Sequence, residues 1–159
     1  MTVEKLTMEL QAAQQEVAAS LDGATETELH TAPAEGEWTA SEVAAHVVEM
    51  QAMWLEKIAH TKQDPDLARS HHEIDRRTAE VDAHSGDDIG TILQRLAESN
   101  DRTIGILKGM TTADMDAPCT YGTGRTSGPT KDALRSLVVT HLSGHAEQIT
   151  TTRQAARSK

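Results

Sequence analysis

The sequence has no phenylalanine, one tyrosine and only two tryptophans among its 159 residues. A core without large aromatic side chains has to be assembled from Leu, Val, Ile, Ala and Met, which favours packed helices over a β-sandwich. Cysteine is nearly absent as well. Cys119 stands alone, so an intrachain disulfide is excluded and the chain suits a reducing compartment. Cations are scarce: 15 Lys and Arg against 25 Asp and Glu give a formal net charge of −10. Such a balance repels a phosphate backbone, and no stretch concentrates the cations, so nucleic acid is not an expected partner. No charged start leads into an apolar run, and nowhere do some twenty apolar residues follow one another. Neither a signal peptide nor a membrane span is predicted. The expectation is a soluble cytoplasmic protein with a single domain over residues 1–159.

What is present is helical periodicity. Val3, Leu6, Leu10, Ala13, Val17 and Leu21 recur at the spacing of a one-sided helix, which Asp22-Gly23 would end. Glu26 to Glu37 turns polar and reads as a loop. A second helix opens at Thr39, where Glu42 can complete a capping box, and carries the stripe Val43, Val47, Met50, Trp54 and Ile58. Asp64-Pro65 ends it, and the charge-rich stretch to His84 reads as a polar connection with room for a short surface helix. A third helix follows Asp88, with Ile89, Ile92, Leu93, Leu96, Thr103, Ile104, Leu107 and Met110. Thr111 to Pro129 reads as a long glycine-containing loop of the kind that forms lids and pocket walls. A fourth helix runs from near Pro129 to about Ala155. Four such stripes predict an all-α four-helix bundle, with a crossover between helices two and three.

Histidines carry the chemistry. His141 and His145 lie one turn apart among Leu137, Val138, Leu142 and Ile149, and His46 lies between Val43 and Met50. His60, fourteen residues beyond His46, is about 21 Å further along the helix and cannot serve the same site. His71, His72 and His84 have no apolar pattern around them and read as solvated. Each inward histidine taken singly is most simply a core residue bonded to a carbonyl or carboxylate. Three of them on two helices point instead to a divalent ion such as Zn²⁺ or Ni²⁺, with a coordination position left open. Other sites lack their signatures: the residue after His141 is Leu142, so HExxH is absent, and no Glu has a His three residues later, as a di-iron bundle requires.

The stretch from Trp38 to His46, together with His-x-x-x-His-x-x-Gln-Ile from His141 to Ile149, resembles the DinB/YfiT-like family. Gly36 to His46 is also similar to the metal-binding N-terminal domain of mycothiol-dependent maleylpyruvate isomerases. The resemblance implies a bundle of up-down-down-up order, often dimeric, with a divalent metal on His46, His141 and His145. It implies chemistry that is mostly thiol-dependent, with mycothiol, bacillithiol or glutathione as cosubstrate. One departure is Ala146-Glu147, where the family often has Arg-Gly.

A metal-dependent enzyme acting on a small molecule is the resulting expectation: a thiol-dependent transferase or isomerase, or a hydrolase using metal-activated water. A non-catalytic bundle that binds a metal or small ligand is the alternative, and a plain structural bundle is a third. Glu49 and Gln148, each three residues after a histidine, are the candidate catalytic residues, either as proton acceptors or as partners that orient a ligand. Arg153 is the candidate substrate-binding cation, ahead of Arg125. Cys119 reads as incidental, and a homodimer is the expected assembly.

Overall fold

The computed structural model describes residues 2–159. Three of the bundle helices begin on a side chain that accepts a free backbone amide, as a first turn requires. Thr2 does so for α1 (Val3–Ser20), Thr39 for α3 (Ala40–Ala59) and Asp88 for α5 (Ile89–Lys108). At Thr39 both halves of the capping box form, since the Thr39 amide also donates to Glu42. The fourth bundle helix is built in three pieces: α7 (Thr130–Leu134), a single wide π turn (Arg135–Val139) and α8 (Thr140–Arg157).

Contacts run α3 with α5, α1 with α8, α1 with α5 and α3 with α8. The helices therefore circle the core in the order α1, α5, α3, α8, and α1 faces α3 across the diagonal. Along α3 and α5 the partner numbers rise together: Ser99 donates to the Val48 carbonyl, Gln51 donates to Asn100, and Glu56 pairs with Arg102. Those two helices run parallel. Glu9 with Arg135 and Ser20 with Arg153 make the fourth helix parallel to α1 in the same way. The bundle is thus up-down-down-up.

Parallel neighbours need a connection that travels back along the bundle. Here it is α4 (His71–His84), which packs on α3 and is capped by Ser70 with Glu73. The connection read from the sequence as polar, with room for a short surface helix, holds a helix of fourteen residues. Its sequence hid this because Val81 is its only buried residue, so there is hardly an apolar stripe to detect. Likewise, the loop expected from Glu26 to Glu37 contains α2 (Glu26–His30), which buries Leu29.

The loop expected from Thr111 to Pro129 is also structured. After α6 (Thr112–Asp116), strands β2 (Pro118–Tyr121) and β3 (Thr126–Pro129) pair antiparallel with Cys119 opposite Gly128. β1 (Asp66–Leu67) adds to β2 in parallel. The hairpin turn uses positive φ at Gly122 (76°) and at Arg125 (53°), and the latter is an unusual demand on a non-glycine residue.

The core is aliphatic, as the composition requires: Leu6, Leu10, Met50, Leu55, Ile58, Leu107, Leu134 and Leu142 are fully buried. At its centre a chain of amides and hydroxyls crosses the helices. Gln14 donates to Thr103 and to Gln51, and Gln51 donates to Ser99 and Asn100. Such a network is satisfied only when the helices sit in one register, so it selects one packing among many apolar ones. Among the described residues no helix is long and apolar enough to cross a membrane. The exposed large apolar side chains, Met8, Ile74 and Leu93, are scattered over three helices.

Candidate metal centre

α3 and α8 bring His46, His141 and His145 together, with one ligand atom from each within 4.8 Å of the others. The His46 and His145 rings stand edge to face at 4.8 Å, while those of His141 and His145 stack at 4.8 Å, as one helical turn dictates. Trp38 lies against His46 at 5.2 Å and closes one side.

The three differ in burial, which departs from the sequence reading. His46 is buried, but His145 is half-buried and His141 is exposed. The buried stripe of α8 is Leu142, Ala146 and Ile149. His141 and His145 each precede one of those residues by a single position, about 100° round the helix, so they stand at the edge of the stripe and face a cavity. The π turn just before them widens the backbone where Ser136 and Leu137 join the same wall. Single π turns are commonly found where a helix has to re-aim side chains for function.

Behind each ring lies an acceptor. His145 Nδ1 donates to the Gln148 side-chain carbonyl (2.9 Å) and His141 Nδ1 to the Leu137 carbonyl (3.3 Å). His46 Nδ1 lies 3.3 Å from Glu49 Oε1, close in distance although off the line of a good hydrogen bond. A donating Nδ1 leaves the lone pair on Nε2, the tautomer that suits metal ligation. His145 Nε2 is buried with no hydrogen-bond partner, a cost that a bound ion would remove.

Burial lowers the pKa of His145 to about 4, aided by its two histidine neighbours and opposed by Gln148. Partial desolvation at the edge of the cavity lowers that of His141 as well. Both rings are therefore neutral donors at neutral pH. The donor set, three imidazoles with one nitrogen from each within 4.8 Å of the others, is of the kind a borderline cation such as Zn²⁺ takes; bonds of about 2.0–2.1 Å would draw those nitrogens in to about 3.3 Å.

Glu49 is half-buried and clamped by Arg69, whose Nη2 donates to Oε1 at 2.7 Å. Burial pushes its pKa up, but His46 and Arg69 more than offset this, and the carboxylate titrates below its usual range. It faces His46 rather than the cavity. Gln148, in contrast, lines the cavity and holds His145 at the same time.

Arg153, expected at the substrate, is elsewhere. Its guanidinium is buried against Glu28 and the carbonyls of Ser20 and Asp22, where it ties α8 to α2 and the end of α1. Arg157 joins it on Glu28. Polar long side chains near a helix end look alike in sequence whether they bind a ligand or lock a corner. Cys119 is buried in β2 with its thiol pKa raised by that burial, so it is an unreactive core residue.

The cavity over the histidines has a volume of about 870 Å³. Its walls also include Trp54, Leu67, Thr140 and three arginines, Arg69, Arg77 and Arg125. Arg69 and Arg77 were not legible as site residues. They lie on the connection between α3 and α5, and only the return of that connection over α8 carries them to the histidines.

A bundle of this order, with histidines of two facing helices gathered beneath a cavity, has the form of a metal-binding helical domain. The family model of the DinB superfamily matches residues 9–149, and the chain belongs to that superfamily. Among solved structures it is similar to YfiT from Bacillus subtilis, described as a probable metal-dependent hydrolase with an unusual four-helix bundle topology. The TM-score is 0.74 at 18% identity, covering 96% of this chain and 86% of that one. It is similar too to the mycothiol-dependent maleylpyruvate isomerase, with a TM-score of 0.71 at 16% identity, covering 94% of this chain. The chain spans 61% of the length of the isomerase. At these identities the likeness is one of fold. No curated protein matches the chain.

Proposed function

We propose that His46, His141 and His145 hold a divalent metal ion, Zn²⁺ or Ni²⁺ for an all-imidazole donor set, and that the protein is a metal-dependent enzyme acting on a small molecule. The observation that carries this reading is the convergence of three imidazoles, two of them fixed through Nδ1, on the floor of a cavity of about 870 Å³. Such an ion would supply Lewis acidity to activate water or a low-molecular-weight thiol at neutral pH.

The chain's own residues do the rest. Gln148 and the Leu137 carbonyl set the tautomers and ring planes of His145 and His141. Glu49, held by Arg69, places negative charge behind His46 and raises its basicity as a donor. Gln148 also presents its amide to the cavity, where it can bond a substrate oxygen. Trp54, Leu67 and Leu137 supply apolar wall that excludes water from one side. A hydrolase or a thiol-dependent transferase or isomerase fits this site, in keeping with the descriptions of YfiT and of the isomerase.

Elemental mass spectrometry on untagged protein tests the reading. About one transition-metal ion per chain is expected in the wild type, lost in His46→Ala and His145→Ala while helical content persists. A wild type that is metal-free and takes up neither Zn²⁺ nor Ni²⁺ refutes it. A loaded protein that binds small ligands but turns none over would identify a binding protein instead.

A further inference from the structure

The cavity above the histidines is cationic in a chain whose net charge is −10. Three arginines and no Asp or Glu contribute to its walls. Two of the three are committed: Arg69 to Glu49, and Arg125 to Asp66. Arg77 is not. No hydrogen bond or ion pair joins its guanidinium to any other described residue, and its Nε is shut off from solvent without an acceptor. A guanidinium is always charged and presents its donors in a planar fork, so leaving a desolvated N–H unpaired is costly unless something else supplies the acceptor.

Its position says what that acceptor can be. Arg77 lies on α4, in the wall shared by the histidine cavity and a second cavity of about 760 Å³, next to Gly144 and Gln148 of α8. Gly144 directly precedes His145, and Gln148 follows it by three residues. A Cβ built on Gly144 would meet nothing within 4 Å, so the wall that Arg77 shares with Gly144 is open rather than packed.

We propose that Arg77 is the anion anchor of this site, receiving a carboxylate of a small molecule whose reacting end lies at the histidines. The proposal rests on the reading of the histidine cluster as the reaction centre. A carboxylate matches the fork in plane and spacing and is satisfied by one guanidinium. A phosphate, with three acceptor oxygens and up to two charges, would call for the other two arginines, which are already paired.

The test uses the full-length chain, both as purified and after chelation, with succinate, neutral succinamide and inorganic phosphate as probes. Binding is followed by calorimetry and by the Nε–H resonance of Arg77, assigned through its loss in Arg77→Gln. Succinate should bind saturably and move that resonance, and Arg77→Gln should weaken binding on the order of tenfold to a hundredfold. Arg77→Lys should recover part of the affinity. Arg76→Gln, at an exposed neighbour on the same helix, should match wild type. Succinate that does not bind, that binds Arg77→Gln within twofold of wild type, or that binds no better than succinamide or phosphate overturns the proposal. Metal content of Arg77→Gln is measured alongside. Loss of succinate affinity at unchanged metal content isolates the anchor, whereas a wild type without metal defeats the parent reading and leaves the resonance shift to judge Arg77 by itself.

Discussion

Replacing Glu49 by Gln removes one charge and almost no volume behind His46. The carboxylate lies 3.3 Å from His46 Nδ1 and accepts from Arg69 at 2.7 Å. Removing a partner that orients a ligating histidine typically costs 10–100-fold in metal affinity, about 1.4–2.7 kcal/mol. Two details place this case near the lower end. Gln keeps an acceptor oxygen for Nδ1, and in the wild type Arg69 already cancels part of the negative charge felt by the ion. The expected loss is therefore about tenfold in Zn²⁺ affinity, about 1.4 kcal/mol, measured by competition with a chromophoric chelator. Stability of the metal-free protein should fall separately, because Arg69 loses its charged partner in a mostly buried setting. About 1–3 kcal/mol is reasonable, some 2–4 °C of Tm per kcal/mol at this chain length. Arg69→Met supplies a control of opposite sign: it leaves the carboxylate uncompensated, so Zn²⁺ affinity should hold or rise although the fold is weakened. Unchanged affinity in Glu49→Gln, or an equal loss in Arg69→Met, would refute the electrostatic argument and reduce the pair to a structural clamp.

Two further outcomes concern the scaffold. Gln51→Leu deletes the centre of the buried amide network, stranding the Asn100 carbonyl while Gln14 keeps Thr103 and Ser99 keeps the Val48 carbonyl. A loss of about 1–3 kcal/mol by urea denaturation is expected, and a neutral or stabilising effect would show that the network contributes register rather than stability. On acidification, Asp114 protonates in the unfolded chain near its ordinary 3.8 but in the folded one only at about 2, chiefly through its hydrogen bond with Lys62. The unfolded state thus binds the proton first, and this stabilisation is present above about pH 4 and lost as pH falls toward 2. His145 acts in the same direction between its ordinary value of 6.5 and about 4, since the unfolded chain charges it first. Melting temperatures of metal-free protein from pH 7 to pH 3 should fall monotonically, with a shallower acid limb in Lys62→Met; a limb of unchanged slope removes Asp114 from the account.

The bundle helices were legible because their determinants are local. The capping box at Thr39 and Glu42, the stripe from Val43 to Ile58 and the i,i+4 spacing of His141 and His145 all act within a few residues, and each is found where the sequence puts it. For α4 only room for a short surface helix was legible, not its fourteen residues, because a helix lying on the outside of a bundle buries so little that its pattern is mostly polar. The hairpin escaped because strands of four residues, one of them Thr-Ser-Gly-Pro, carry too few side chains to show alternation.

By itself, then, the sequence determined the four helical stripes, the aliphatic core that an almost aromatic-free chain must use, and the histidine positions within two of those stripes. Local spacing suffices for these, since a stripe and a histidine pair are set by the geometry of one helix. Tertiary structure alone decided which cations reach the histidines: Arg153 was claimed by Glu28 at the far corner, and Arg69 and Arg77 were delivered by a connection whose path no local pattern encodes. It also decided that His46 is buried while His141 is exposed. How deeply a side chain sits depends on what packs across from it, and that is a property of helices distant in sequence.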